Sequence, residues 1–280
     1  MEDVLELARQ EGTPLIDGET VAFVWQGKRA PDLVADFTGW LSHPVSLQKV
    51  AKNAWIHSLR LPRNAYLEYA FLDPVSEARF IDPFNFRTTP NGYGEFNNYF
   101  YMPEAHPTDL IRRRRGVARG VVTRHAIPTG GKVSGVQRTV YLYRPPVSQP
   151  SPLLVVLDGP DYLRRGKIVQ IVDNLIDQER IRPLALALVT GGGPARLAEY
   201  SCSESSLVYL KDSLLPFACQ RLDLVDYAIL PGSHTVMGAS MGGLMALFAG
   251  LRLPEMFGSV LCWRNELWRG LEHLFPLVQK

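Results

Sequence analysis

The sequence has no apolar run approaching the ~18 residues of a membrane-spanning helix, and it opens on Met1-Glu2-Asp3-Val4, acidic where a secretory leader would be basic. A soluble cytoplasmic protein with no membrane partner is therefore expected. Cysteine is scarce: Cys202, Cys219 and Cys262 are an odd number without C-x-x-C spacing, which leaves neither a disulfide framework nor a zinc site. Buried, inert thiols are expected. Neither charge sign dominates. With 30 Lys and Arg against 28 Asp and Glu, the net charge of +2 gives no overall field toward nucleic acid. The last scarcity is local. The 40 residues after Ser240 contain no Asp, three Glu (Glu255, Glu266, Glu272) and one His (His273).

What is present suits two modest domains, or one large one, in 280 residues, with a 46% hydrophobic content typical of globular proteins with sizeable cores. Val236-Met237-Gly238-Ala239-Ser240-Met241-Gly242-Gly243-Leu244 organises the rest. An apolar strand end runs into G-x-S-x-G and then an apolar helix start, which is the pattern of a nucleophile elbow. Gly238 and Gly242 are small where the backbone crosses itself, and Ser240 sits where a helix amino-terminus favours developing negative charge.

The first hundred residues have the shorter period of strands. After a helix over residues 2 to 10, the runs 20–25, 32–37, 54–61 and 65–71 are rich in aromatic and β-branched residues, most of them bounded by Gly, Pro or Asn. They predict an antiparallel sandwich. Trp25, Trp40 and Trp55 are expected in its core or rim, with an exposed Trp40 able to stack on a sugar or catechol ring. Residues 88–107 lack a period and read as a long ordered loop. Arg112-Arg113-Arg114-Arg115 reads as a solvated linker, able to attract an anionic substrate if it faces the domain interface. The expected division is 1–107 sandwich, 108–119 linker and 120–280 catalytic domain.

Beyond the linker the pattern changes to strands alternating with helices. Two alternating strands, 120–126 and 136–143, flank Gly130-Gly131. Pro152 to Leu157 and Pro183 to Val189 are continuously apolar, as strands covered on both faces must be. Helices are expected through Ile168 to Leu175, over 207–222 and over 242–251, with strands at 235–237 and 257–262. This predicts a doubly wound parallel sheet.

Val34-Ala35-Asp36-Phe37-Thr38-Gly39-Trp40, then Trp55, the Tyr66 to Phe71 strand and Asp82-Pro83-Phe84-Asn85, resemble an early-set, immunoglobulin-like domain of the carbohydrate-binding-module-48 kind. Such a domain precedes the hydrolase domain of enterochelin esterases. Leu157-Asp158-Gly159 with Tyr162, Val172 to Ile176, Arg196 to Tyr200, Leu214-Leu215-Pro216 and Gly238 to Gly243 are similar in order to the esterase-D-like α/β-hydrolase domain, which includes enterochelin, feruloyl and acetyl-xylan esterases.

The resemblance implies a serine esterase with no metal and no cofactor. Ser240 would be the nucleophile, and the amides of Met241 and Asp161 the oxyanion donors. Pro160 has no N–H to offer. Asp158, Gly159, Tyr162, Arg196 and Tyr200 would lie on the substrate side, although Arg196 and Tyr200 read equally well as a helix cap and a packing residue. The substrate would be a ferric catecholate siderophore lactone or a sugar-linked aromatic or acetyl ester, with iron entering only as part of it.

In this fold the acid and the histidine follow the serine in chain order. The residues after Ser240 are expected to form the post-elbow helix, one strand, and an amphipathic helix on Leu267, Leu271, Leu274, Phe275 and Val278 that Pro276 ends near Phe275. His273 lies beside its apolar stripe, so the general base is unassigned. His234, six residues before Ser240, lies near the far end of the same strand at ~3.3 Å per residue. The hydrolase sheet therefore reads as incomplete, through a truncated or altered C-terminus, with an exposed edge through which two copies could pair. The alternative reading is a non-catalytic glycan- or siderophore-binding protein with a degenerate hydrolase domain.

Overall fold

The runs of β-branched and aromatic residues in the first third of the chain build two antiparallel sheets. The structure is a computed structural model describing residues 3–91 and 95–263, and the chain divides into two units, Met1–Thr108 and Asp109–Lys280. In the first unit, helix α1 (Asp3–Glu11) precedes β1 (Leu15–Asp17), β2 (Thr20–Gln26), β3 (Asp32–Ala35), β4 (Val45–Ser46), β5 (Gln48–Ala51), β6 (Ala54–Arg60), β7 (Tyr66–Leu72), β8 (Arg79–Phe80), β9 (Thr88–Pro90) and β10 (Phe96–Tyr101). One sheet has the order β1-β2-β6-β5. The other runs β4-β3-β7-β10-β9, with β8 also on β7.

Both sheets feed one core. Val21 and Phe23 come from the first, and Leu33, Tyr69, Phe71 and Phe100 from the second. Phe23 meets Tyr69 and Phe100 edge-on, with ring centroids 4.9 and 5.8 Å apart, the geometry the ring quadrupoles favour. The tryptophans are tied down: Trp25 Nε1 donates to Arg29 O and Trp55 Nε1 to Gly27 O. Trp40 Nε1 donates to Asp36 Oδ1 at 3.1 Å, and the Arg79 guanidinium lies 4.7 Å from its ring centroid, so that face of the ring is covered.

Residues 88–107 correct the expectation of a loop. β9 and β10 form a ladder, and β10 pairs with β7 inside the sheet. Asn97 and Asn98 hid this strand, because asparagine is depleted in strands. Here their amides are used in place of apolar packing. Asn98 Oδ1 accepts from Asp82 N at 2.5 Å and its Nδ2 donates to Asn85 O at 2.7 Å. Buried Asp82 accepts in turn from Thr13 Oγ1 and Tyr69 Oη at 2.6 and 2.8 Å. Burial raises its pKa above the ordinary carboxyl range despite these donors.

The second unit holds a six-stranded sheet of β11 (Val121–Pro128), β12 (Gln137–Arg144), β13 (Leu153–Leu157), β14 (Ala185–Val189), β15 (His234–Ala239) and β16 (Phe257–Trp263), in the order β11-β12-β14-β13-β15-β16. β11, β12 and β14 pair antiparallel, and β14, β13, β15 and β16 parallel. The continuous apolar runs follow from burial on both faces. Leu153, Val155 and Leu157 enter one core with Met245, Ala246 and Ala249 of α7 (Met241–Arg252). Leu154 and Val156 enter another with Ile168 and Val172. α2 (Gly159–Arg164) and α3 (Ile168–Asp177) follow β13, and α4 (Arg196–Tyr200) follows β14.

The helix expected over 207–222 is instead α5 (Glu204–Tyr209), a π turn (Leu210–Leu214) and α6 (Leu215–Cys219). Pro216 cannot donate four residues back, and the wider turn directly precedes it. The cysteines also depart from expectation: Cys202 is half-buried, and Cys219 and Cys262 are exposed.

The 108–119 segment is fastened to the second unit through its backbone. Asn174 Nδ2 donates to Leu110 O at 2.7 Å and to Arg112 O at 2.9 Å. The amide of Gly120 donates to Asp173 Oδ1 at 3.0 Å. No helix among the described residues is long and apolar enough to cross a membrane. Residues 264–280 lie outside the described ones, and with them Glu266, Glu272, His273, the helix expected near Phe275, the early end of the sheet and any pairing of chains along its edge.

Candidate active site

The parallel strands determine which edge of the sheet carries the chemistry. β13, β14 and β15 all point the same way, and their carboxyl ends are occupied by Asp158, the Thr190-Gly191-Gly192-Gly193 run and Ser240. Ligands bind at this edge of open α/β sheets.

Ser240 has φ 52° and ψ −125° and caps α7, its carbonyl accepting from the Leu244 amide at 3.0 Å. Holding a non-glycine residue there costs on the order of 1–3 kcal/mol and persists only where neighbours over-determine it. Gly238 and Gly242 supply that determination. A Cβ on Gly238 would stand 2.2 Å from Gly242 O and 2.8 Å from Gly243 N, and one on Gly242 would stand 3.1 Å from Asp158 Oδ2. Because the Gly238 clash is with backbone, Gly238→Ala is expected to destabilise the fold by about 3 kcal/mol or more, at or above the upper end of ordinary overpacking. A urea titration measures this; an unchanged midpoint would refute it.

Among the described residues the Met241 amide and the Ser240 hydroxyl have no hydrogen-bond partner. Ser240 is half-buried. The expected second donor is corrected. The Asp161 N–H already donates to Asp158 O at 3.1 Å, because the first turn of α2 closes on its own cap. Gly159 supplies the amide directly after Asp158, and Pro160 has none to offer. Gly159 is buried, and a Cβ there would lie 2.4 Å from the Leu188 backbone, so glycine is required for α2 to approach β14.

Asp158, at φ 55°, holds Arg196 through a bidentate pair: Nε to Oδ1 at 3.0 Å and Nη2 to Oδ2 at 2.7 Å. Such forks fix orientation as well as charge. The Arg196 guanidinium lies 5.0 Å from the Tyr200 ring centroid, and the Asp158 amide donates to Tyr200 Oη at 3.4 Å. Asp158, Gly242, Arg196 and Tyr200 therefore meet beside the elbow. Tyr162 packs with the α3-side core instead. Burial, with the charges of Asp158 and Asp161, pushes its phenol pKa up.

Behind them lies a buried network that the sequence reading missed. Arg138 Nη2 donates to Glu199 Oε1 at 2.8 Å, with both side chains at most 10% exposed. Ser134 adds its amide and hydroxyl to the same oxygen at 2.8 and 2.6 Å. Arg138 Nη1 donates to Thr190 O at 3.2 Å. Burial would raise the Glu199 pKa, but the bonds from Arg138 and Ser134 hold it below the ordinary carboxyl value. The available signal was Gly191-Gly192-Gly193: a Cβ on Gly191 would stand 2.6 Å from Asp158 Oδ1, and one on Gly192 2.3 Å from Glu199 Oε2. Glycines following a buried strand marked two carboxylates pressed against the chain. Ser134, Arg138, Thr190, Gly191 and Gly192 also border an open cleft of about 510 Å³ on this edge.

The described histidines near the sheet are occupied elsewhere. His234 is buried at the start of β15, its Nδ1 accepting from the Leu153 amide at 3.2 Å, and burial lowers its pKa. His125 bonds Thr123 Oγ1 at 2.8 Å and packs on Phe217. Among the described residues no three His, Cys, Asp or Glu side chains gather as a metal site requires.

Residues 132–270 match the family model described as putative esterase. The iron(III) enterobactin esterase of Dickeya dadantii is 30% identical over 136 residues, 47% of this chain and 31% of that protein. The iron(III) enterobactin esterase of Escherichia coli K12 is 24% identical over 271 residues, 85% of this chain and 66% of that one. The chain thus spans about a third of the first relative and just under two thirds of the second. Enterochelin esterase from Shigella flexneri has the same fold, with a TM-score of 0.68 at 21% identity over 92% of this chain and 77% of its own.

Proposed function

We propose that this chain, which is enterochelin-esterase-like, hydrolyses carboxylic esters with Ser240 as nucleophile, and that its substrate is a ferric catecholate siderophore lactone. The observation that carries the reading is the backbone of Ser240, held at φ 52° at the carboxyl end of β15 between Gly238, which admits no side chain, and Gly242, which is closely packed against Asp158. The enterobactin esterases among its relatives support the substrate class. Sugar-linked aromatic or acetyl esters are the rival substrates in the same fold.

In this reading Ser240 Oγ attacks the ester carbonyl while a base takes its proton. The tetrahedral oxyanion is met by the Met241 N–H and, with the Asp161 amide engaged, by that of Gly159. Collapse expels the alcohol, which recovers the proton, and leaves an acyl-serine that water cleaves by the same steps. Each oxyanion donor is worth about 2.7–4 kcal/mol in the transition state. The base and its orienting acid are unassigned, and His273 lies outside the described residues. Arg196, fixed by Asp158, and Tyr200 form the substrate side, and the first unit is the early-set, carbohydrate-binding-module-48-like domain.

The test is turnover of ferric enterobactin by the full chain, with mass spectrometry counting ester bonds opened. Progressive opening, blocked by a fluorophosphonate that labels Ser240, is expected. Binding of the siderophore with neither opening nor labelling would overturn the esterase and favour a non-catalytic binding protein.

A further inference from the structure

The amino ends of the parallel strands form the other edge of the sheet. Val121 pairs with Arg144 at the end of β12, and Tyr143 with Leu186 near the start of β14, so the chain enters β11 at the amino ends of the parallel strands. This is the edge opposite Ser240. The arginine run lies there and does not serve the elbow. Arg112, Arg113, Arg114 and Arg119 line a cavity of about 160 Å³ with Val117, Val122, Val169 and Asn174. Arg112, Arg113 and Arg114 also line an adjoining open cleft with Asp109 and Gln178.

Three features distinguish this trough from an ordinary solvated basic run. Its backbone is fixed by the two Asn174 bonds to Leu110 O and Arg112 O and by the Gly120 bond to Asp173, so the guanidiniums start from a set frame. Little opposing charge is available to them: Asp109 pairs with Arg112 at 3.3 Å, while Asp173 Oδ1 accepts from both Gly120 N and Tyr143 Oη. Among the described residues Arg113, Arg114 and Arg119 have no carboxylate partner. Val117, Val122 and Val169 add apolar lining, and low-dielectric surroundings strengthen a like-signed field.

We propose that this trough binds an oligophosphate, free or esterified. Planar guanidinium forks match phosphate oxygens two at a time. Several of them around so small a cavity suit the three or four charges of a diphosphate or triphosphate, where a single carboxylate would leave most of them unmatched.

The test is calorimetric titration of the full chain at fixed ionic strength with inorganic triphosphate, ATP and sulfate. One triphosphate per chain is expected, binding at least about ten-fold tighter than sulfate. Arg113→Ala with Arg114→Ala should weaken it by about 100-fold, ten-fold for each lost charge-assisted contact. Arg113→Lys with Arg114→Lys, which keeps the charge and loses the forks, should fall between. Asn174→Ala, which keeps every arginine and frees the backbone, should weaken binding several-fold in a chain shown by its melting curve to be folded. Comparable affinity for triphosphate and ATP marks the free anion as sufficient, and tighter ATP marks an esterified ligand. Parity with sulfate, or lysine variants indistinguishable from the parent, would reduce the trough to generic charge and overturn the proposal.

Discussion

Ser240→Ala is expected to abolish ester hydrolysis and fluorophosphonate labelling, with kcat falling by about 10⁵- to 10⁶-fold, the scale on which serine hydrolases lose turnover without their nucleophile. Alanine is no more comfortable than serine at φ 52°, so stability should hardly change. Ser240→Gly separates the two roles of the position. It should be equally inactive yet more stable by about 1 kcal/mol, since glycine occupies positive φ without the clash that strains serine, less the extra freedom it has when unfolded. Single-turnover release of the alcohol from an activated ester reads the first effect, and a denaturant midpoint reads the second. Hydrolysis that survives Ser240→Ala would remove Ser240 from the mechanism. A Gly variant less stable than the parent would mean that the elbow is not strained.

The elbow was legible in the sequence because its constraints are local. Two glycines and a serine within five residues, after an apolar strand end and before an apolar helix, determine a turn whatever else the chain does. The doubly covered strands were legible for a related reason: Leu153 to Leu157 is apolar at every position because both faces are buried. What stayed hidden depends on partners distant in sequence. Asn97 and Asn98 read as loop residues, since it is contacts to Glu68, Arg79, Asp82 and Asn85 that make them acceptable in a central strand. Arg138 and Glu199 are 61 positions apart, and neither carries a local sign of burial. The Asp161 amide failed as a donor for a smaller reason, the closing of one helical turn, which spacing alone does not reveal.

The Arg138–Glu199 pair yields the other large effect. Glu199→Ala leaves a guanidinium buried without its carboxylate, a loss on the order of 3–5 kcal/mol. In a domain of this size that corresponds to a fall in Tm of about 6–20 °C. Arg138→Met with Glu199→Leu should recover much of it, because an apolar pair of similar volume has no charge to desolvate; thermal melts of the three variants form the test. The pH dependence has a definite sign. The Glu199 pKa is depressed in the folded chain, so its contribution is complete above the unfolded carboxyl value of 4.5 and is lost as pH falls through the lower folded value. The parent should therefore lose stability below about pH 4.5 more steeply than Glu199→Gln, in which nothing titrates at this position. Equal acid limbs would show that the carboxylate is not held by Arg138 and Ser134 in solution. A double variant no better than Glu199→Ala would show instead that the pair's charged hydrogen bonds, and not its volume, support α4. Because Glu199 adjoins Tyr200 and lies three residues beyond Arg196, either outcome reaches the elbow. A network that holds α4 by charge loosens the Arg196 fork on acidification, whereas one that holds it by packing leaves the fork in place until the domain unfolds.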